Sequence, residues 1–232
     1  MTSPGFRIVP QPPRPSEELL AQFKPIITSH LSDNMGRHYG AVGLKRYNRT
    51  GKLVGAALTV KTRPGDNLMV HKALDLAQKG DVLVVDGGGD VDNALVGELM
   101  QLYAASRGVV GFVIDGAIRD VAAFDAFPCY ARGNVHRGPY KDGPGEIGVT
   151  VSIGGMVVEP GDIIVGDEDG VVAIPQRDAP ALLELARKKA AEEEAAKRQI
   201  AKGAWDRSWV DKTLAAKGFT ATGQSSDGGP ST

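Results

Sequence analysis

A mixed α/β fold with a C-terminal helical extension is predicted by three features of this chain. Between Val82 and Ile114, an apolar run, a glycine turn, a helical segment and a second apolar run follow in order. That succession specifies two parallel strands with a covering helix. Beyond Phe127, short β-branched runs alternate with Gly/Pro turns, which excludes a regular doubly wound sheet. Gln176 to Lys202 is then one long stretch rich in Ala, Lys and Glu, read as a helix.

The elements follow from local chemistry. Residues 1–15 carry five prolines and read as an extended arm, able to lie across a neighbouring subunit. Ser16 followed by Glu17 and Glu18 is a helix start, with a capping hydroxyl and first-turn acids. Leu53–Thr62 is a strand ending in the turn Arg63-Pro64-Gly65-Asp66, and Asn67–Gln78 has helical apolar spacing. Val82–Val85 is a short buried strand running into Asp86-Gly87-Gly88-Gly89. Leu99, Leu102, Tyr103 and Ser106 mark one helix face, with Gly108 as its C′ residue and Val109–Ile114 as the next strand. The β-rich half comprises Val149–Ile153, Met156–Val158, Asp162–Val165 and Gly170–Ile174. In the long helix only the first turns carry an apolar stripe (Leu182, Leu183, Leu185, Ala186); the polar remainder spans solvent or crosses to a partner. The organisation is therefore an arm (1–15), a main domain (16–175), a helical extension (176–220) and a Ser/Gly/Pro-rich disordered tail (221–232).

Composition narrows the function. With 232 residues, 42% hydrophobic and 24% charged, the chain suits one globular domain. A net charge of −1 without a Lys/Arg stripe gives no support for nucleic-acid binding. No apolar run approaches the roughly 18 residues of a membrane span, and no signal peptide is recognisable. The single cysteine, Cys129, excludes an internal disulfide framework, and a cytoplasmic location is expected.

Two segments can carry chemistry. At Gly97-Glu98-Leu99-Met100, a helix beginning near Gly97 leaves backbone N–H groups without intrahelical acceptors, an anion site for a small carboxylate or phosphate. The plain alternative is a turn in which Glu98 offsets the helix dipole. Arg119 and Asp120 close the second strand of the unit, at the sheet edge where α/β proteins bind ligands. Arginine there offers a fork for a carboxylate or an enolate oxygen, and aspartate a hard ligand for Mg²⁺ or Mn²⁺. The alternative is an exposed ion pair capping the next helix. The run Gly87-Gly88-Gly89 is not G-x-G-x-x-G and reads as a turn shaping the cleft floor. His30, His38, His71 and His136 lie on separate elements without metal-ligand spacing. Schiff-base chemistry needs a lysine in this cleft, and none lies between Lys79 and Lys141.

Together, Gly97, the Leu99-Met100 pair, Gly108, Gly111, Gly116, Arg119 and Asp120 resemble the signature of the class II pyruvate aldolases. These are the 4-hydroxy-4-methyl-2-oxoglutarate / 4-carboxy-4-hydroxy-2-oxoadipate aldolases, which share a fold with the regulator of ribonuclease activity A. The likeness runs from about Thr28 to Pro175 and includes Arg63–Asn67, Val84–Gly89 and Gly161–Gly170.

The resemblance implies a swivelling β/β/α fold, homotrimers or hexamers with active sites at subunit interfaces, and a small 2-oxo acid substrate. It implies that Asp120 binds a divalent cation, Mg²⁺ or Mn²⁺, and that Arg119 with Gly97, Glu98, Leu99 and Met100 holds the pyruvyl moiety. Many relatives have Asp at the position of Glu98. Family members add a glutamate from the adjacent chain's C-terminal helix, for which Glu194 is the best match and Glu193 the alternative. Arg119, Glu98 and Glu194 are then the catalytic candidates for metal-dependent retro-aldol cleavage with oxaloacetate decarboxylation alongside. The non-catalytic alternative is a protein-binding regulator of RNA processing; members of that branch typically lack the acid after the arginine, so Asp120 favours the enzyme. A methyltransferase label also attaches to sequences of this type, and the glycine run does not support it.

Overall fold

The long strand Leu53–Thr62 is ten residues because its sequence is largely β-branched and apolar, and it organises the sheet. The computed structural model describes residues 4–219; the tail expected to be disordered lies outside them. In chain order the elements are β1 (Phe6–Ile8), α1 (Glu17–Phe23), α2 (Thr28–Asn34), β2 (Lys45–Arg46), β3 (Leu53–Thr62) and α3 (Leu68–Leu76). They continue with β4 (Asp81–Asp86), β5 (Ala94–Val96), α4 (Glu98–Ser106), β6 (Gly111–Ile118), β7 (Cys129–Asn134) and β8 (Gly145–Ile147). The last are β9 (Val151–Ile153), β10 (Met156–Val158), β11 (Ile163–Asp167), β12 (Gly170–Ile174), α5 (Ala179–Ala201) and α6 (Ser208–Ala216).

The main sheet runs β1-β8-β3-β4-β6-β7-β2. Strands β3, β4, β6 and β7 are parallel neighbours, and β5 adds in parallel to the end of β6. The free edge of β3 is shared: β11 pairs antiparallel along Leu53–Ala56 and β8 along Val60–Thr62. One sheet face is covered by α3 and α4 through Val70, Leu74, Met100 and Ala104. The other meets the β9–β10 hairpin through Val151, Ile153, Met156 and Val158. This is the layered α/β arrangement expected, with β4 and β6 buried on both faces as continuous apolar runs should be. A third cluster packs α1, α2 and the start of α5 on β11 and β12. Residues up to Lys189 form one compact unit and those from Ala190 another.

Ser16 caps α1 as its position predicts, its hydroxyl accepting from Leu19 N–H at 3.2 Å. Elsewhere the pattern misleads. In α4 the apolar positions point outward: Leu99 is 81% and Leu102 55% exposed, while Met100, Gln101 and Ala104 are buried. Met100 sets the helix phase by inserting into the core beside the Asn67 amide. Leu185 of α5 is likewise exposed, the inner face being Ala179, Leu182, Leu183 and Ala186. The arm lies along its own chain. Strand β1 pairs with β8, and the Arg14 guanidinium makes a two-pronged ion pair with buried Asp81 at 2.7 and 2.9 Å.

Candidate functional site

The pairing of β5 with β6 brings the two expected segments together. Val96 aligns with Ile118, and Arg119 N–H donates to Val96 O at 3.0 Å, so the residues after each strand are neighbours. Gly97 and Glu98 therefore meet Arg119 and Asp120 at one sheet edge.

Asp120 carries the distinctive backbone. Its φ of 53° and ψ of 45° place it in the left-handed region, which few residues other than glycine adopt. That conformation turns its carboxylate back over the start of α4, where Oδ2 accepts from Glu98 N–H at 3.2 Å. The helix terminus expected to receive a substrate anion is thus partly engaged by Asp120 itself. Arg119 Nε lies 3.6 Å from the same oxygen, and both side chains are 46% exposed. Gly97 is required for this approach: a Cβ there would stand 2.5 Å from Asp120 Oδ2 and 3.0 Å from Arg119 Cγ.

A cleft of about 620 Å³ opens over this corner. Six of the seven expected site residues line it, Gly97, Glu98, Leu99, Met100, Arg119 and Asp120; Glu194 does not. Smaller hollows flank it, one sharing Arg119 and Asp120 with Asn134 and His136, the other sharing Glu98 and Asp120 with Val121. Glu194 belongs to the second unit, where its carboxylate takes Lys197 Nζ at 2.6 Å and is held below the usual range by that bond. The glycine run is not among the cleft's lining residues. It ties β4 to β6, Gly87 and Gly89 N–H donating to Asp115 O, while Asp115 pairs with Arg132. Cys129 is fully buried, and burial pushes its thiol pKa up.

Three further polar residues line the cleft beyond those expected: Asn67, His71 and Lys141. Asn67, in the first position before α3, donates to Leu95 O at 2.9 Å and to Met100 Sδ at 3.4 Å; its buried Oδ1 has no partner. His71 lies one turn on, and burial together with the Lys141 charge lowers its pKa. Lys141 brings a second cation, so the cleft does hold a lysine. The sequence signal for it was weak, since residues 139–141 come from a loop far along the chain. The Asp66-Asn67 pair was legible as a turn, a helix start and part of the family likeness, without a role at the site.

Among the described residues, no group of three or more His, Cys, Asp or Glu side chains stands together as a metal set. The carboxylates that line the cleft are those of Asp120 and Glu98. Those hard oxygens, open to solvent, suit a largely hydrated Mg²⁺ or Mn²⁺, which is typically held by one or two carboxylates and waters.

Residues 28–173 match the family model described as RraA-like, Aldolase/RraA. The chain belongs to this family. It is 41% identical over 186 residues to a protein of Halalkalibacterium halodurans named "Putative 4-hydroxy-4-methyl-2-oxoglutarate aldolase", covering 79% of this chain and 89% of that one. The solved RNA-processing inhibitor RraA from Thermus thermophilis superposes with a TM-score of 0.59 at 30% identity, over 64% of this chain and 92% of that one. RraAS2 of Streptomyces coelicolor, described as an unusual member of the RNase ES inhibitor RraA family, gives 0.74 at 26% identity, over 80% and 98%. RraA-like members thus include a protein named as an aldolase and others named as inhibitors, and the swivelling fold expected from the resemblance is theirs.

Proposed function

We propose that this RraA-like protein is a divalent-metal-dependent lyase that cleaves a 4-hydroxy-2-oxo acid to pyruvate and a second carbonyl compound. Substrates of the 4-hydroxy-4-methyl-2-oxoglutarate or 4-carboxy-4-hydroxy-2-oxoadipate type fit the reading, with oxaloacetate decarboxylation as a side reaction through the same enolate. The observation that carries it is the left-handed Asp120, whose carboxylate is folded against Gly97 and Glu98 with Arg119 beside it. A non-glycine residue held in that conformation at a cleft is the kind of strain that functional sites retain.

Asp120, with Glu98 close by, would hold the cation. When bound it supplies Lewis-acid stabilisation of the negative charge that develops on the 2-oxo group. Arg119 presents its guanidinium to the pyruvyl carboxylate and to the developing enolate oxygen, a preorganised charge that needs no rearrangement during reaction. Lys141 gives the anionic substrate a second cation. A carboxylate oxygen of Glu98, or of Glu194 from a neighbouring subunit, takes the proton of the C4 hydroxyl. The C3–C4 bond then breaks, C4 becomes a carbonyl, and the electron pair remains on the three-carbon fragment as pyruvate enolate, which is protonated at C3. Homotrimers or hexamers with the cleft at a subunit boundary belong to this reading. The exposed Leu99, Leu102 and Tyr103 of α4, next to the cleft, support it.

A crystal soaked with pyruvate and Mg²⁺ tests the placement. Density for pyruvate with its carboxylate on Arg119 and the cation on Asp120 is expected. Pyruvate bound elsewhere, or tight capture of a protein partner without turnover of any 4-hydroxy-2-oxo acid, would favour the regulator reading instead.

A further inference from the structure

The buried carboxylate that the proposed chemistry leaves unused is Asp66, fully inaccessible at the end of the Arg63–Asn67 turn. Its Oδ1 accepts from Leu68 N–H at 2.9 Å, the start of α3. Its Oδ2 accepts from Asp142 and Gly143 N–H at 2.8 and 2.9 Å and from Arg63 Nη2 at 3.1 Å. Two backbone bonds reinforce the junction: Tyr140 N–H to Gly65 O at 2.8 Å and Asn67 N–H to Tyr140 O at 3.0 Å. The Arg63 guanidinium also lies over the Tyr140 ring, 5.6 Å from its centre. Residues 140, 142 and 143 are therefore all fastened to the 63–67 turn, and the residue between them is Lys141, which lines the cleft.

We infer that Asp66 is a positioning residue: it fixes the 140–143 loop on the turn that also carries Asn67, and so sets where the Lys141 ammonium meets an anionic ligand. This rests on the proposed function for the ligand's identity, but the clamp stands on geometry alone. A buried charge satisfied by four donors is costly to lose, because each released backbone N–H must find another partner. The carboxylate suits this role because it accepts from two consecutive amides at once. Asparagine in its place would turn an N–H₂ group toward donors on one side or the other.

The test compares Asp66→Asn, Lys141→Ala and the double variant by steady-state kinetics with oxaloacetate and Mg²⁺. In parallel, amine-reactive labelling of Lys141 is read by peptide mass spectrometry with and without pyruvate. Lys141→Ala is expected to raise KM about tenfold, and Asp66→Asn to raise KM severalfold with kcat within about twofold. The double variant should be no worse than Lys141→Ala alone. Pyruvate should protect Lys141 from labelling in the wild type and not in Asp66→Asn. Additive losses in the double variant, a fall in kcat at unchanged KM, or retained protection in Asp66→Asn would each overturn the inference. If Asp66→Asn fails to fold, Asp66→Ser serves, since its hydroxyl can still cap Leu68 N–H but is too short for the 142–143 amides. Absence of turnover by the wild type would count against the lyase reading, while the labelling comparison would still decide the role of Asp66.

Discussion

Replacing Gly97 with alanine separates the site from the scaffold more cleanly than any other single change. Gly97 has extended backbone angles, φ −152° and ψ −167°, which alanine adopts without strain. The cost lies entirely in the added methyl group. It would stand 2.5 Å from Asp120 Oδ2, where ordinary contact begins near 3.4 Å, and 3.0 Å from Arg119 Cγ. Asp120 must retreat by about 0.9 Å, and the Arg119 stem by a smaller amount. Misplacement of catalytic groups by about 1 Å costs on the order of 10²-fold in rate, or about 2.7 kcal/mol of transition-state stabilisation. Both displaced side chains are half exposed and can move into solvent, so little folding energy is involved. A glycine-to-alanine change at a compatible position even removes some unfolded-state entropy, about 0.4–1 kcal/mol. Coupled detection of pyruvate from oxaloacetate with Mg²⁺, alongside a thermal melt, measures both quantities. A roughly 100-fold loss of kcat/KM with Tm within about 3 °C of wild type is expected. Activity within threefold of wild type would refute the requirement for close approach, and a collapse in Tm would show that Gly97 serves folding instead.

Other perturbations address the remaining parts. Arg119→Lys should lower kcat by at least about tenfold, because a point charge does not replace a planar fork; steady-state kinetics would reveal an unchanged kcat and so a structural role. Excess EDTA should abolish pyruvate release and added Mg²⁺ or Mn²⁺ should restore it, whereas full activity in the chelator contradicts the metal assignment. Asp162, buried in the turn before β11, has its pKa raised to about 6 chiefly by burial. Its charged form is thus the disfavoured one in the folded state, and its contribution to stability falls as pH rises from about 4 to 6. Asp162→Asn should therefore gain on wild type in urea melts at pH 8, by on the order of 1–3 kcal/mol, and lose that gain below pH 4. An equal difference at both pH values would rule out titration of Asp162 as the cause.

Much of the architecture was legible because the relevant signals are local. Leu53–Thr62 and Gly170–Ile174 form strands with the expected bounds, and Ser16 and Gly108 end their helices through capping chemistry that needs no tertiary context. Three short strands of the main sheet were not: β1, β2 and β8 have two or three residues and exist only through their partners. The face of α4 was misread for a related reason. Its outward leucines mimic an amphipathic stripe, but the helix phase is set by one plug, Met100, lodged against Asn67. At the site, the two segments flanking β5 and β6 were recognisable since a single βα unit joins them. Asn67, His71 and Lys141 reach the cleft from two further segments through the Asp66 clamp, a long-range arrangement that spacing along the chain does not encode.

The central claim is that Asp120 makes this cleft a divalent-dependent pyruvate-forming site, and the most direct measurement is pyruvate release by wild type and Asp120→Asn across an Mg²⁺ titration. Asparagine tolerates the left-handed conformation and keeps an acceptor for Glu98 N–H, so only the charge changes. The account predicts a saturable Mg²⁺ dependence in the wild type and loss of activity in Asp120→Asn at every Mg²⁺ concentration, with Tm unchanged. Equal turnover by the two proteins, or turnover independent of Mg²⁺, would contradict it.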